Sequence, residues 1–156
     1  MKANLYNLDE LDRKILRLLV EDSRRSFREI AKILGIAVGT AYNRIKKLEE
    51  LDIIKAYTVL VDQSKIGYGL TAFILMQAEG QYLEEVEKEA AKLDAVSCVY
   101  DITGDFDIAI IARFKNSGEL NTFIKSMLKN THVKKTVTNV VLNTVKEDLR
   151  IKPAKL

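Results

Sequence analysis

Apolar and polar positions recur along this chain with two different periods, and the change of period divides it near residue 70. Up to residue 51, apolar side chains return every three or four positions. Leu11, Ile15, Leu18 and Leu19 predict one helix over about Asp9 to Glu21. Phe27, Ile30, Ala31 and Leu34 predict a second, and Ala41, Ile45, Leu48 and Leu51 a third, each with one face to bury. Asp9 is placed to accept from first-turn amides as an N-cap. Ser26 with Glu29 three residues on reads as a capping box. Gly35 supplies the backbone freedom that a tight helix–helix turn requires. The third helix starts less well, because Ala37 cannot cap and Gly39 lies in the first turn. Residues 53–61, Ile-Ile-Lys-Ala-Tyr-Thr-Val-Leu-Val, are rich in β-branched side chains and read as a strand. Three helices and a strand predict a winged helix–turn–helix module, followed by a glycine-bearing linker from Asp62 to Gly69.

Beyond residue 70, strand and helix patterns alternate. Strands are predicted over Leu70–Ala78, Val96–Thr103, Phe106–Phe114 and Val133–Lys146. Helices are predicted over Tyr82–Leu93 and Gly118–Lys129, and a hairpin-type turn at Gly104-Asp105. The order βαββαβ predicts a ferredoxin-like domain, so the whole chain is an α+β protein. In that arrangement the first and third strands are central and both helices lie on one face of the sheet. Both central strands are nonetheless apolar on both faces: Ile74 and Met76 alternate with Phe73 and Leu75, and Ile108 and Ile110 with Ala109 and Ile111. The face without helices needs a cover. A second copy of the chain is the simplest one, and folding back of the N-terminal module is the other. The expected organisation is a helix–turn–helix domain over residues 1–54, a linker strand and hinge over 55–69, and a ferredoxin-like domain over 70–150.

Charge sharpens this division. Residues 1–69 hold 13 Lys+Arg against 10 Asp+Glu, whereas residues 70–156 hold 12 of each. All the excess positive charge therefore lies with the helix–turn–helix, as a nucleic-acid module joined to a part with another task would have it. On the third helix, 100° per residue places Gly39, Asn43, Lys46 and Lys47 opposite the core stripe, with Thr40 beside them. Asn43 can pair with adenine, and Thr40 can reach a base edge or a thymine methyl. Gly39 permits close approach of backbone to DNA. Lys46 and Lys47 suit phosphates, as does Arg44 on the flank. Arg24, Arg25 and Arg28 surround the start of the second helix and suit a phosphate there. Two other classes remain open: a metabolite-binding module that regulates an enzyme by contact, and an RNA-binding winged helix. The basic outer face speaks against the first. The lack of an exposed aromatic set speaks against the second.

Catalytic chemistry finds no motif here. One cysteine, Cys98, and one histidine, His132, cannot assemble a nitrogen–sulfur metal site or a disulfide framework. Cys98 reads as a small core residue on a strand and His132 as a surface residue, while Asp105 and Asp107 alone make no metal pair. No glycine-rich phosphate loop appears, so no cofactor is expected. No apolar run approaches a membrane span and no signal-peptide pattern opens the chain, which predicts a cytoplasmic protein.

The turn at Gly104–Asp107 is the expected small-molecule site. Gly104 lets amides face outward toward a carboxylate, and Asp105 or Asp107 suits an ammonium group, which makes a free amino acid the expected ligand class. Tyr100, Thr103, Thr136 and Thr138 are its expected neighbours. An ordinary hairpin, with Asp105 bonding its own turn amides, is the alternative.

Leu8-Asp9 with Asp12 and Ile15-Leu16, the stretch Arg44-Ile45-Lys46-Lys47-Leu48-Glu49, and Ile53-Ile54 occur in order along the first half. Gly67-Tyr68, Ala72-Phe73-Ile74, Gly104-Asp105-Phe106-Asp107, Thr136 with Thr138, and Val141-Leu142 follow. In these residues the chain resembles the Lrp/AsnC, or feast/famine, transcription regulators over nearly its whole length. The resemblance implies a DNA-binding domain, a linker strand, and a ferredoxin-like RAM-type domain that senses a ligand and forms dimers and often octamers. It also places amino-acid effectors near the Gly104 loop, at contacts between dimers. Asp52 stands where such proteins usually have glycine, and Ala37 where a polar cap is common.

Overall fold

The computed structural model of the chain describes residues 7–150, so the first six positions of the expected N-terminal domain lie outside it. The chain divides into two compact units. One runs to Leu60 and takes in the segment from Glu147, and the other spans Val61–Lys146.

The first unit is built on three helices, α1 (Glu10–Glu21), α2 (Phe27–Leu34) and α3 (Val38–Glu50). Ile15, Leu19, Ile30, Ala31, Ala41, Ile45 and Leu48 form its core, most of the stripes the periodicity predicts, while Phe27 from the second stripe is exposed. Both expected caps are present. Asp9 accepts from the Asp12 N–H at 2.8 Å, and Ser26 from the Glu29 N–H at 3.3 Å. In each case the third residue's carboxylate returns to the N–H of the cap. Gly35 ends α2 in the left-handed region at φ 66°, which glycine adopts without steric cost. α3 starts without a side-chain cap at Ala37.

α3 ends in a Schellman pattern. Asp52 N–H donates to the Glu49 carbonyl at 2.9 Å, and Ile53 N–H to the Leu48 carbonyl at 3.0 Å. Asp52 holds the left-handed position at φ 53°. Aspartate tolerates that position better than most side chains, though at a cost that glycine escapes. Ile53 and Ile54 pack on the helical core, and both amides donate to Leu48.

The strand expected over Ile53–Val61 does not form, which corrects the reading of a linker strand within 55–69. The segment pairs with no ladder, and Val59, Leu60 and Val61 are exposed. β-branched side chains favour a pleated, half-buried surface with a neighbouring strand, and the segment has no such neighbour here.

The second unit has the order β1 (Leu70–Ala78), α4 (Leu83–Ala91), β2 (Val96–Asp101), β3 (Ile108–Phe114), α5 (Ser117–Met127) and β4 (Val133–Val140). Its antiparallel sheet runs β2-β3-β1-β4, with β1 and β3 central as the ferredoxin-like pattern requires. Ala72, Ile74, Met76, Ile108, Ile110 and Phe114 pack against Val86, Ala90, Leu120, Phe123 and Met127 from the helices. Phe73, Leu75, Ala109 and Ile111 line the other face, where Phe73 is 38% exposed.

Three strand ends differ from expectation, one of them that of β2, which stops at Asp101 rather than Thr103. β4 stops at Val140, and Val141 N–H makes a last bond to the Thr71 carbonyl. β1 begins one residue before Thr71, so no strand remains opposite 143–146. β3 starts at Ile108 rather than Phe106, because residues 102–107 form one wide turn closed by Ile102 N–H on the Asp107 carbonyl at 2.8 Å.

Candidate nucleic-acid interface and effector turn

α3 buries Ala41, Ile45 and Leu48 and turns Gly39, Thr40, Asn43, Lys46 and Lys47 to the surface, all exposed. The open face is therefore the one that helix geometry predicts. A Cβ added at Gly39 would meet no atom within 4 Å, so nothing within the fold demands glycine there.

The cations differ in how far they are committed. Lys46 Nζ lies 2.9 Å from Glu49, which also accepts from the Tyr57 hydroxyl at 3.0 Å. Lys46 and Tyr57 together hold the Glu49 carboxyl below its usual range. Partial burial, with the Glu49 carboxylate beside it, pushes the Tyr57 phenol up to about 12. Arg24 is open to solvent and bonds Asp22 at 3.4 Å, while Arg25 is partly buried beside Glu21 at 3.5 Å. Arg28 is exposed on the first turn of α2.

Arg44 faces the opposite flank, where its Nη1 donates to Asp9 and, at 3.1 Å, to Asp12. The Asp12 N–H, then Arg44, hold the Asp9 carboxyl low. The two carboxylates raise the Arg44 guanidinium in turn.

The sequence reading missed one feature of this surface. Tyr42 is 43% exposed and meets Phe27 edge-to-face, with ring centroids 5.3 Å apart. An exposed aromatic pair thus borders α3, against the expectation of none. Tyr42 sits 100° from the core stripe, and an edge position of that kind is legible only once its neighbour from α2 is known.

The effector residues do not gather as expected. Gly104, at φ 124°, lies with Thr103 and Asp105 in the exposed 102–107 turn. Asp107 is tied into the fold: its Oδ2 accepts from Ala78 N–H at 3.0 Å, and its own N–H donates to the Met76 carbonyl at 3.0 Å. One of its two carboxylate oxygens is thus held by the fold.

Tyr100 shares a row with Ala109, Leu75 and Val137 on the face without helices. Thr136 and Thr138 pair with Met76 and Ile74 and so belong to the other face. β2 and β4 are the two edges of the sheet, about 14 Å apart at the usual strand spacing. Within one chain, then, Tyr100 and the two threonines are not neighbours. The turn's own neighbour on β4 is Lys135, whose Nζ lies 5.5 Å from the Phe106 ring centroid.

His132 precedes β4, stacks on Tyr82 at 3.5 Å and lies 3.5 Å from Glu79. It borders a shallow groove of about 980 Å³ lined by Glu84, Lys88, Lys129 and other polar residues. Among the described residues no cluster of three or more His, Cys, Asp or Glu could hold a metal ion. No helix there is long and apolar enough to cross a membrane.

Comparison with known proteins defines the class. Residues 8–49 match the AsnC-type helix-turn-helix domain, and residues 71–151 match the Lrp/AsnC ligand binding domain. The chain belongs to the Lrp/AsnC family of transcriptional regulators. An uncharacterised HTH-type transcriptional regulator of Pyrococcus horikoshii is 53% identical over 146 residues, covering 94% of this chain and 99% of its own. The HTH-type transcriptional regulator FL11 of the same organism is 41% identical, covering 90% and 93%. Among solved structures, E. coli AsnC superposes with a TM-score of 0.86 at 27% identity, covering 95% of this chain and 100% of its own. The regulator NMB0573 of Neisseria meningitidis, solved as an L-Met complex, gives 0.83 at 25% identity, covering 92% and 96%.

Proposed function

We propose that this regulator binds specific duplex DNA through α3 and that an amino acid controls its assembly and its DNA binding. The observation that carries the reading is the outer face of α3. Gly39, Thr40, Asn43 and Lys47 stand in a row opposite Ala41, Ile45 and Leu48, at the surface a major groove would meet. Asn43 and Thr40 read bases, while Lys46, Lys47, Arg24, Arg25 and Arg28 meet phosphates. The working division is DNA-binding residues 1–54, linker 55–69 and effector domain 70–150.

Self-association is supported by the apolar sheet face around Phe73, Leu75 and Ile111, which a second copy would cover, giving a dimer and higher even assemblies such as an octamer. Amino-acid control rests on the Gly104-Asp105 turn and on the L-Met bound to the Neisseria regulator. Since Tyr100 and Thr136 with Thr138 lie on opposite edges and faces, a ligand touching all three has to sit between chains. Binding there favours one assembly and resets the spacing of paired α3 helices.

Selection of bound sites from random duplexes, with and without each amino acid, is the test, with light scattering on the same samples. The reading expects a roughly palindromic site and an amino acid that changes both assembly size and affinity. Absence of any enriched site would refute it. The exposed Tyr42 ring favours a second reading, recognition of single-stranded RNA by stacking, and a competing RNA in the same assay separates the two.

A further inference from the structure

The N-terminal end of α1 holds an unusual arrangement of charge. Both residues of its capping box are acids, and each carboxylate divides its oxygens between two tasks. Asp9 Oδ1 accepts from Asp12 N–H and Asp12 Oδ2 from Asp9 N–H, which completes the reciprocal cap. The remaining oxygens, Asp9 Oδ2 and Asp12 Oδ1, both accept from one nitrogen of Arg44. Asp12 is 6% exposed and is the one buried charged side chain among the described residues. A buried carboxylate is costly unless a cation and hydrogen bonds meet it, and the guanidinium supplies both. Arg44 follows Asn43 directly and lies one turn from Thr40 and Lys47. The ion-pair network thus ties the flank of α3 beside Asn43 to the first turn of α1.

From this geometry we infer that Arg44 is not a DNA contact but a positioning residue: it plugs the Asp9–Asp12 socket and so sets the angle at which α3 presents Asn43 and Thr40 to the bases. The inference rests on the proposal that α3 reads DNA. It makes Asp9 and Asp12 determinants of sequence selectivity, though neither touches the duplex. A phosphate contact would act otherwise. It would weaken all sequences alike and would carry its own share of the salt dependence.

The test uses the full chain and two duplexes, one selected for binding and one random, titrated by fluorescence anisotropy over a range of salt. Arg44→Gln should lower the preference for the selected duplex by about fivefold or more, the coupling typical of one ion-pair network. Its affinity for the random duplex and its salt slope should stay those of the wild type. Arg44→Lys should restore part of the preference. Asp9→Asn keeps a capping side chain and leaves the Arg44 charge in place. It should lose selectivity as Arg44→Gln does, and the double variant should be no worse than either single one. This second variant carries the test should Arg44→Gln fail to fold in a thermal melt.

Equal loss on both duplexes with a salt slope reduced by about 0.9, together with tighter binding by Asp9→Asn, would make Arg44 a phosphate contact and overturn the inference. Unchanged selectivity in both single variants would overturn it as well. A wild-type chain that binds neither duplex would refute the DNA reading itself, and with it this role.

Discussion

Asp107 Oδ2 accepts a hydrogen bond from the Ala78 N–H at 3.0 Å, which ties the 102–107 turn to the end of β1 at the point where the β1–β4 register shifts. The two residues are 29 positions apart, and the bond gives the second acid of the Gly104–Asp107 motif a scaffold role. The first acid, Asp105, stays exposed.

The pair therefore divides in its effects. Asp107→Ala should destabilise the ferredoxin-like unit by about 1–3 kcal/mol, the range for a lost charged hydrogen bond with its partner left behind. Asp105→Ala should stay within about 0.5 kcal/mol of wild type but abolish amino-acid binding. Urea unfolding and calorimetry on both variants check the division.

Gly39 sits in the first turn of α3 with open space where its Cβ would be. Gly39→Ala should stabilise the helix by roughly 0.5–1 kcal/mol, since alanine loses less backbone entropy. The same methyl should hold α3 away from the groove and weaken DNA binding. Thermal melts and duplex titration should move in opposite senses. Weaker binding together with weaker folding would contradict the role given to this glycine.

Glu49 neutralises Lys46 at 2.9 Å. Glu49→Gln should free the lysine for phosphate, so that all duplexes bind more tightly and the salt slope steepens by up to about 0.9. Anisotropy titrations at several salt concentrations read both quantities. An unchanged slope would show that Lys46 never reaches DNA.

Tyr57 links the linker to α3 through Glu49, and its phenol is pushed from 10.0 up to about 12. A raised pKa means that the folded state holds the proton more tightly than the unfolded one. The stabilisation is full below about pH 10 and is lost as pH rises through 12. Alkaline unfolding of wild type should therefore fall more steeply than that of Tyr57→Phe over that interval. Parallel curves would contradict the tie.

Much of this architecture is legible in the chain itself, for physical reasons that also explain the rest. Local rules found the capping box at Ser26 and Glu29, the glycine turn at Gly35 and the inward face of α3, because each depends on residues within one or two turns. The βαββαβ order then fixed which strands are central. Long-range relations escaped. Arg44 sits on a flank by helix geometry, but its acids lie 35 and 32 residues away. The threonines of β4 and Tyr100 of β2 part company only once register assigns faces. The Ile53–Val61 run has strand composition yet no strand beside it, and composition cannot supply a neighbour.

The central claim is that α3 reads sequence, and Asn43 tests it most directly. Wild type and Asn43→Ala are titrated against a selected duplex and a random one at a single salt concentration. The account predicts a loss of about 1–3 kcal/mol on the selected duplex, relaxed preference at one base position per half-site, and unchanged random binding. An equal loss on both duplexes, or no loss on either, would contradict it.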